Sequence, residues 1–114
     1  MDEYSKMKSV LITGCSTGIG LCLALGLQKK GYRVFPTART DEDLKMLQDL
    51  GFEALLLDLS SSDSINTLVF QLYQKTNNLY ALINNGAYGQ AGALEDISRE
   101  VLDKQFQSNV FGWH

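Results

Sequence analysis

The sequence predicts an α/β fold, a doubly wound parallel sheet with helices on both faces, from two observations. Short apolar or β-branched runs alternate with single helical patterns along the whole chain, the pattern of successive βαβ units with right-handed crossovers. A glycine-rich loop also joins the first strand directly to the first helix, where open sheets of this kind bind ligands. The expected strand order is 3-2-1-4. All 114 residues (1–114) read as one domain, without repeat, linker or low-complexity segment.

Each element follows from its residues. Ser9–Thr13 is short, β-branched and ends at glycine, which predicts the first strand. Thr17–Lys30 predicts a helix that is apolar on nearly every side and so packs deep against the sheet. Lys29 and Lys30 lie in its last turn and Gly31 just beyond, a helix stop. Tyr32–Thr37 predicts the second strand, with Pro36 near its end, where a missing N–H matters least. Thr40 is placed as an N-cap followed by Asp41, Glu42 and Asp43, carboxylates that complement the helix dipole. Leu44, Leu47 and Leu50 then recur at helical spacing up to Gly51.

Ala54–Leu57 predicts the third strand, and Ser61 or Ser62 caps a helix whose stripe is Ile65, Leu68, Val69 and Leu72. Leu79–Ile83 predicts the fourth strand. A glycine-rich loop leads from it to Ile97, and Ser98 caps a last helix over Arg99–Gly112. That pattern stops at Trp113–His114 without a C-cap, and four strands leave one edge bare, which favours association. The chain therefore reads as the front of a larger domain.

Composition excludes several functions. The net charge is −3, with 13 carboxylates against 10 Lys and Arg and no basic block, so a nucleic-acid partner is not expected. No run approaches the ~18 apolar residues of a membrane span, and Met1–Lys8 is too polar for a secretory signal. Cys15 and Cys22 fit no zinc pattern and are expected to be free, mostly buried thiols of a cytoplasmic protein. The single His is His114, so neither a Ser–His–Asp relay nor a His-based metal site is expected.

The loop Thr13-Gly14-Cys15-Ser16-Thr17-Gly18-Ile19-Gly20 carries the chemistry. Gly14 permits a tight turn, Gly18 lets backbone approach phosphates, and Gly20 lets the helix pack closely on the strand. Unpaired N–H groups at the helix start, with Ser16, Thr17 and Ile19 around them, suit a dinucleotide pyrophosphate. A merely tight turn is the plain alternative.

The spacing Gly-x-x-x-Gly-x-Gly after a Thr resembles the short-chain dehydrogenase/reductase family, whose fold is Rossmann-type. Three further motifs resemble it in the same order, over essentially the whole chain. Leu57-Asp58-Leu59 is similar to the family's segment whose Asp contacts adenine. Asn84-Asn85-Gly86-Ala87 is similar to its Asn-Asn-Ala-Gly motif with the last two residues exchanged. Asn109-Val110 is similar to the segment whose Asn supports the family's proton relay. The resemblance thus implies cofactor contacts at Asp58, Leu59, Asn85, Gly86 and Ala87, and a catalytic role for Asn109. Read from the residues alone, Asn84 and Asn85 also fit turn chemistry, and Asp58 fits a solvated turn before a helix. Asn109 falls in the stripe of Leu102, Phe106 and Trp113, where a satisfied core amide is the competing reading.

The second strand ends Thr37-Ala38-Arg39-Thr40, roughly 20 residues past the last loop glycine, where the ribose reader stands. An NAD(H) site wants a carboxylate there. Arg39 between two threonines instead suits a 2′-phosphate, so NADP(H) is preferred, with Asp41 close enough to complicate the choice. The family's acid catalyst is Tyr-x-x-x-Lys with a Ser upstream. The formal match here, Tyr4-Ser5-Lys6-Met7-Lys8, precedes the first strand and is far from the strand carboxyl ends; Tyr88 has no Lys four residues on. The implied function is an NADP(H)-dependent oxidoreductase acting on a small alcohol or ketone, with this chain its cofactor-binding part and inactive alone. The run Phe35–Leu59 looks most like members acting on lipophilic alcohols. A non-catalytic dinucleotide-binding or interaction module is the alternative, a methyltransferase-like fold a weaker one, and homo-oligomerisation stays open.

Overall fold

A computed structural model describes residues 7–86 and 94–113. Strands β1 (Ser9–Ile12), β2 (Arg33–Ala38), β3 (Leu55–Leu56) and β4 (Leu79–Ile83) form a parallel sheet in the order β3-β2-β1-β4, as expected. Helices α1 (Gly18–Lys29), α2 (Asp41–Asp49), α3 (Ser62–Lys75) and α4 (Arg99–Phe106) alternate with the strands. A 3-10 turn, Leu94–Asp96, precedes α4, and a π-helical turn, Gln107–Phe111, continues it. Pro36 pairs opposite Ile12, and β2 begins its pairing with β3 only at Thr37, so the missing proline N–H interrupts little.

Strand alternation sends successive side chains to opposite faces. Val10, Ile12, Val34 and Ala38 pack on one face with Ala24 of α1 and Leu47 of α2. Leu11, Phe35, Leu55 and Leu57 pack on the other with Leu68 and Leu72 of α3. Both faces of the two inner strands are thereby covered, which is why β1 and β2 read as continuous apolar runs.

Helix α1 departs from the expectation of all-round burial. Gly20 and Ala24 are buried and Leu21 and Leu27 partly so, whereas Ile19, Leu23 and Leu25 are exposed. A helix on a sheet covers it with one stripe, and apolar residues off that stripe have nothing to pack against. Leu50 and Val69, expected on apolar stripes, are exposed for the same reason. The sheet margin is barer still: β4 is an outer strand, and its Leu79, Tyr80 and Leu82 are exposed.

The last helix also departs from the 100° pattern. Its i→i+5 turn, closed by the Gly112 N–H donating to the Gln107 carbonyl (2.6 Å), rotates the following residues off the predicted stripe. Trp113 is consequently exposed, Asn109 is half-buried, and Ser108 is the buried polar residue of the turn; Phe106, which precedes the turn, is exposed as well. The expected inward stripe is thus corrected at Phe106 and Trp113, while Leu102 and Asn109 are half-buried.

At the end of the sheet away from the strand carboxyl termini, Arg33 ties three elements together. Its Nε and Nη2 donate to the two Glu53 oxygens (2.7 and 2.8 Å), and Nη1 donates to the Lys75 carbonyl (2.9 Å). The Arg33 hydrogen bond holds the Glu53 carboxyl below its ordinary value.

The two thiols are free but not alike, since Cys15 is buried and Cys22 exposed, which corrects the expectation that both are mostly buried. Burial pushes the Cys15 thiol up to about 11, and its Sγ donates to the Ile12 carbonyl (3.3 Å). Because the thiolate is the reactive form, a thiol reagent at pH 8 is expected to label Cys22 alone in the folded chain and both residues in denaturant. Two equivalents consumed at equal rates by the folded chain would contradict this.

Candidate functional site

Thr13 at the carboxyl end of β1 joins the strand ends that frame the site. The buried Thr13 hydroxyl accepts from the backbone N–H groups of Asn85 (3.0 Å) and Gly86 (2.8 Å), and Thr13 N donates to the Ile83 carbonyl (3.1 Å). The end of β4 is thereby locked to the end of β1. On the other side, Cys15 N donates to the Thr37 carbonyl (2.9 Å) and Gly14 N to the Thr37 hydroxyl (3.3 Å).

Gly14 has φ +69°, and a Cβ there would stand 2.7 Å from the Gly86 Cα, so only glycine fits. A Cβ on Gly20 would overlap the Gly14 carbonyl oxygen and stand 2.7 Å from Asn85 Nδ2. Asn85 Nδ2 itself donates to that carbonyl (2.9 Å). Asn85 therefore supports the glycine loop from behind, the turn-and-support reading of this residue.

A cleft of about 250 Å³ opens over these strand ends. The β1 end contributes Thr13, Gly14 and Ser16; the β2 end contributes Thr37, Ala38, Arg39 and Thr40, joined by Asp43 of α2. Leu57, Asp58 and Leu59 come from the β3 end, Gly86 from the β4 end, and Ser108 from the π-helical turn. The cleft lies where the chain order of the strands reverses, the general ligand position of open α/β sheets.

The structure thus brings together Gly14, Ser16, Arg39, Asp58, Leu59 and Gly86 among the residues singled out from the sequence. Thr17, Gly18, Ile19 and Gly20 start α1 and do not line the cleft, nor do Asn85 and Asn109. Ala87 lies outside the described residues, as do Tyr88 and Tyr4. The two threonines beside Arg39 have other partners: Thr37 accepts from Gly14, and Thr40 caps α2 by accepting from Asp43 N (3.3 Å). Arg39 is left as the cation of the β2 end.

Two lining residues, Ser108 and Asp43, are not expected at the site from the sequence, and Thr13, the first residue of the loop motif, takes a role that the motif does not announce. Thr13 is buried and welds two strand ends. Ser108 is turned inward by the π-helical register. Asp43, rather than Asp41, is the acidic residue of α2 that reaches the cleft. Its position three residues after the Thr40 cap was the available signal.

Asp58 does two things at once. Its Oδ1 accepts from the Ser60 hydroxyl (2.6 Å) and Ser60 N (2.9 Å), and its backbone N–H donates to Ser64 Oγ (2.8 Å). The Ser60 hydroxyl, then the Ser60 backbone N–H and the charges of Arg39 and Lys104, hold its carboxyl below its ordinary value against an opposing effect of burial. Asp58 is therefore both a local turn carboxylate and an ionised wall of the cleft.

One helix start differs from the rest. Thr40, Ser61 and Ser98 cap α2, α3 and α4 through side-chain oxygens, and each of those helices has an acidic residue in its first turn. Helix α1 has neither a side-chain cap bond at Thr17 nor an acidic first turn. Its first-turn N–H groups and positive dipole end therefore have no side-chain cap and no carboxylate from the helix's own first turn.

Fold and cleft together define a doubly wound α/β protein with an open cleft at the strand carboxyl ends. A family model described as short chain dehydrogenase matches residues 8–114, and the chain belongs to that family. It is 42% identical over 108 residues to the uncharacterized oxidoreductase YbbO of Escherichia coli, covering 94% of this chain and 40% of that protein. It is 36% identical to the NADPH-dependent 1-acyldihydroxyacetone phosphate reductase of Schizosaccharomyces pombe, covering 92% of this chain and 36% of that protein. Among solved structures, an actinorhodin polyketide ketoreductase with NADPH superposes with a TM-score of 0.85 at 31% identity, over 99% of this chain and 45% of that one. The chain spans about two fifths of the length of the curated relatives it matches.

Proposed function

We propose that this chain is the cofactor-binding part of an NADP(H)-dependent oxidoreductase interconverting an alcohol and a ketone. The observation that carries the reading is the start of α1. Among the four described α-helices it alone lacks a side-chain cap bond, and it opens beside a cleft lined by Gly14, Ser16 and Arg39. The residues fit the group: a Cβ on Gly18, at φ +62°, would project into open space beside the loop, leaving room for a pyrophosphate. When bound, the nicotinamide would supply or accept the hydride. The chain's own residues bind and orient: α1 N–H groups hold the pyrophosphate, Arg39 neutralises the 2′-phosphate, and Asp58 and Leu59 border the adenine.

Several features of the whole protein belong to the same proposal. The relatives' greater length supports a larger domain of which residues 1–114 are the front. The only Tyr-x-x-x-Lys of the sequence is Tyr4–Lys8, so the chain by itself binds cofactor without turning over substrate. Asn109 would support the proton relay of the complete enzyme. No described helix is long and apolar enough to cross a membrane, and two free thiols suit a reducing, cytoplasmic setting.

Asp43 favours a second reading. A carboxylate on the cleft wall can accept from a ribose 2′-OH, which suits NAD(H). Calorimetric titration of the unaltered chain separates the two. NADPH is expected to bind at least about tenfold tighter than NADH, a difference near 1.4 kcal/mol. Tighter NADH would overturn the NADP(H) assignment, and no heat with either would overturn the dinucleotide reading.

A further inference from the structure

The π-helical turn and the residues after it make a contact with the cleft that the cofactor reading does not use. Trp113 Nε1 donates to the Gly86 carbonyl at 2.6 Å. Next to it, a Cβ on Gly112 would overlap the Leu59 carbonyl oxygen, so the backbone of this segment lies directly against the β3 end. Ser108, one turn earlier, is buried in the cleft wall. The segment therefore touches the β3 and β4 ends together, at Leu59 and Gly86, both cleft residues.

Gly86 has little freedom to move alone. Its N–H is bonded to Thr13, a Cβ on it would press Leu59 Cδ1 at 3.0 Å, and Gly14 approaches its Cα from below. Its carbonyl is the remaining handle, and the indole N–H occupies it. A short hydrogen bond from a rigid ring fixes the Gly86 carbonyl, and with it the wall that the cofactor meets. Val110 and Phe111 on the same segment are exposed, so apart from Ser108 and Gly112 the indole N–H is the contact that ties this segment to the cleft.

We infer that Trp113 is a positioning residue for the cofactor cleft, orienting the Gly86 peptide through its indole N–H and coupling the last helix to cofactor occupancy. The inference rests on the dinucleotide reading above. It also makes the one tryptophan of the chain a reporter of the cleft.

The test is calorimetry of NADPH binding to the 114-residue chain, to Trp113→Phe and to Phe111→Ser, with emission spectroscopy of the unaltered chain. Trp113→Phe keeps a ring but removes the donor, and is expected to weaken NADPH about five- to tenfold, the worth of one hydrogen bond. Phe111→Ser alters an exposed residue of the same turn and is expected to bind as the unaltered chain does. In the unaltered chain, 2′,5′-ADP, which carries no nicotinamide to quench the indole, is expected to shift the emission maximum with the half-point found by calorimetry. That measurement stands even if Trp113→Phe fails to fold. Equal NADPH affinity for Trp113→Phe and the unaltered chain, or an emission maximum unmoved at saturation, would overturn the inference while leaving the cofactor reading intact. Loss of affinity in Phe111→Ser equal to that in Trp113→Phe would overturn it too, as general loosening of the turn. Binding of neither NADPH nor NADH by the unaltered chain overturns the cofactor reading itself.

Discussion

Gly20→Ala is expected to destabilise the folded chain by about 2–3 kcal/mol, at the upper end of what overpacking a rigid site costs. In an ordinary helix interior the same change would stabilise by roughly 1 kcal/mol, because alanine is the better helix former. Here the added Cβ overlaps the Gly14 carbonyl oxygen and stands 2.7 Å from Asn85 Nδ2. Neither neighbour can yield cheaply. The Gly14 peptide is held by Asn85 on one side and by Thr37 on the other, and Gly14 is itself pressed on Gly86. Gly26, in the same helix, supplies the control, since a Cβ there meets nothing within 4 Å. Urea denaturation is expected to lower the midpoint for Gly20→Ala and raise it for Gly26→Ala. Two equal, positive shifts would show that α1 does not sit on the glycine loop as described.

The second large effect is expected at Arg39. Arg39→Asp replaces a charge-assisted hydrogen bond to a phosphate by a like charge, and NADPH affinity should fall by more than about tenfold, given roughly 1.5–3 kcal/mol for such bonds. NADH lacks the 2′-phosphate and should lose far less. Asp43→Asn removes the opposing carboxylate of the same cleft and is expected to move the ratio the other way, towards NADPH. Salt should narrow all these differences, because the groups are exposed to solvent or half so. An NADPH/NADH ratio that Arg39→Asp leaves unchanged would show that the 2′-phosphate is not read at the β2 end.

Much of this arrangement is legible in the chain because local signals agree with one another. The Thr40 cap, three following carboxylates and the Gly51 stop delimit α2 almost to the residue, and Gly51 indeed has φ +92°. β4 is matched at both ends, Leu79 and Ile83, although its apolar residues are largely exposed; its composition reports strand propensity, not burial. The three loop glycines do distinct work. Gly14 and Gly20 are required by close backbone approach, which the motif spacing announces, whereas Gly18 shows a left-handed φ and open space.

The rest was hidden for physical reasons. A 100° template cannot foresee a π-helical turn, so Ser108 rather than Asn109 faces the cleft, and Trp113 meets the Gly86 carbonyl through its indole N–H. All-round apolarity of α1 says nothing about which side the sheet takes, so Cys22 was placed inside although it is exposed. Thr37 and Thr40 do line the cleft, but their hydroxyl oxygens also accept from the Gly14 and Asp43 amides, which the sequence does not announce. Side-chain hydroxyls near a ligand site serve the backbone as often as the ligand, and only the geometry separates the two.

The central claim is that the strand carboxyl ends form one dinucleotide cleft. Backbone amide chemical shifts of the 114-residue chain, recorded as NADPH is added, test it most directly. The account predicts saturable shifts concentrated at Gly14–Gly20, Arg39, Asp58–Leu59 and Gly86, with the Trp113 indole N–H moving alongside them. Shifts concentrated instead around Lys8, Tyr32 and Tyr80, at the opposite end of the sheet, would contradict it.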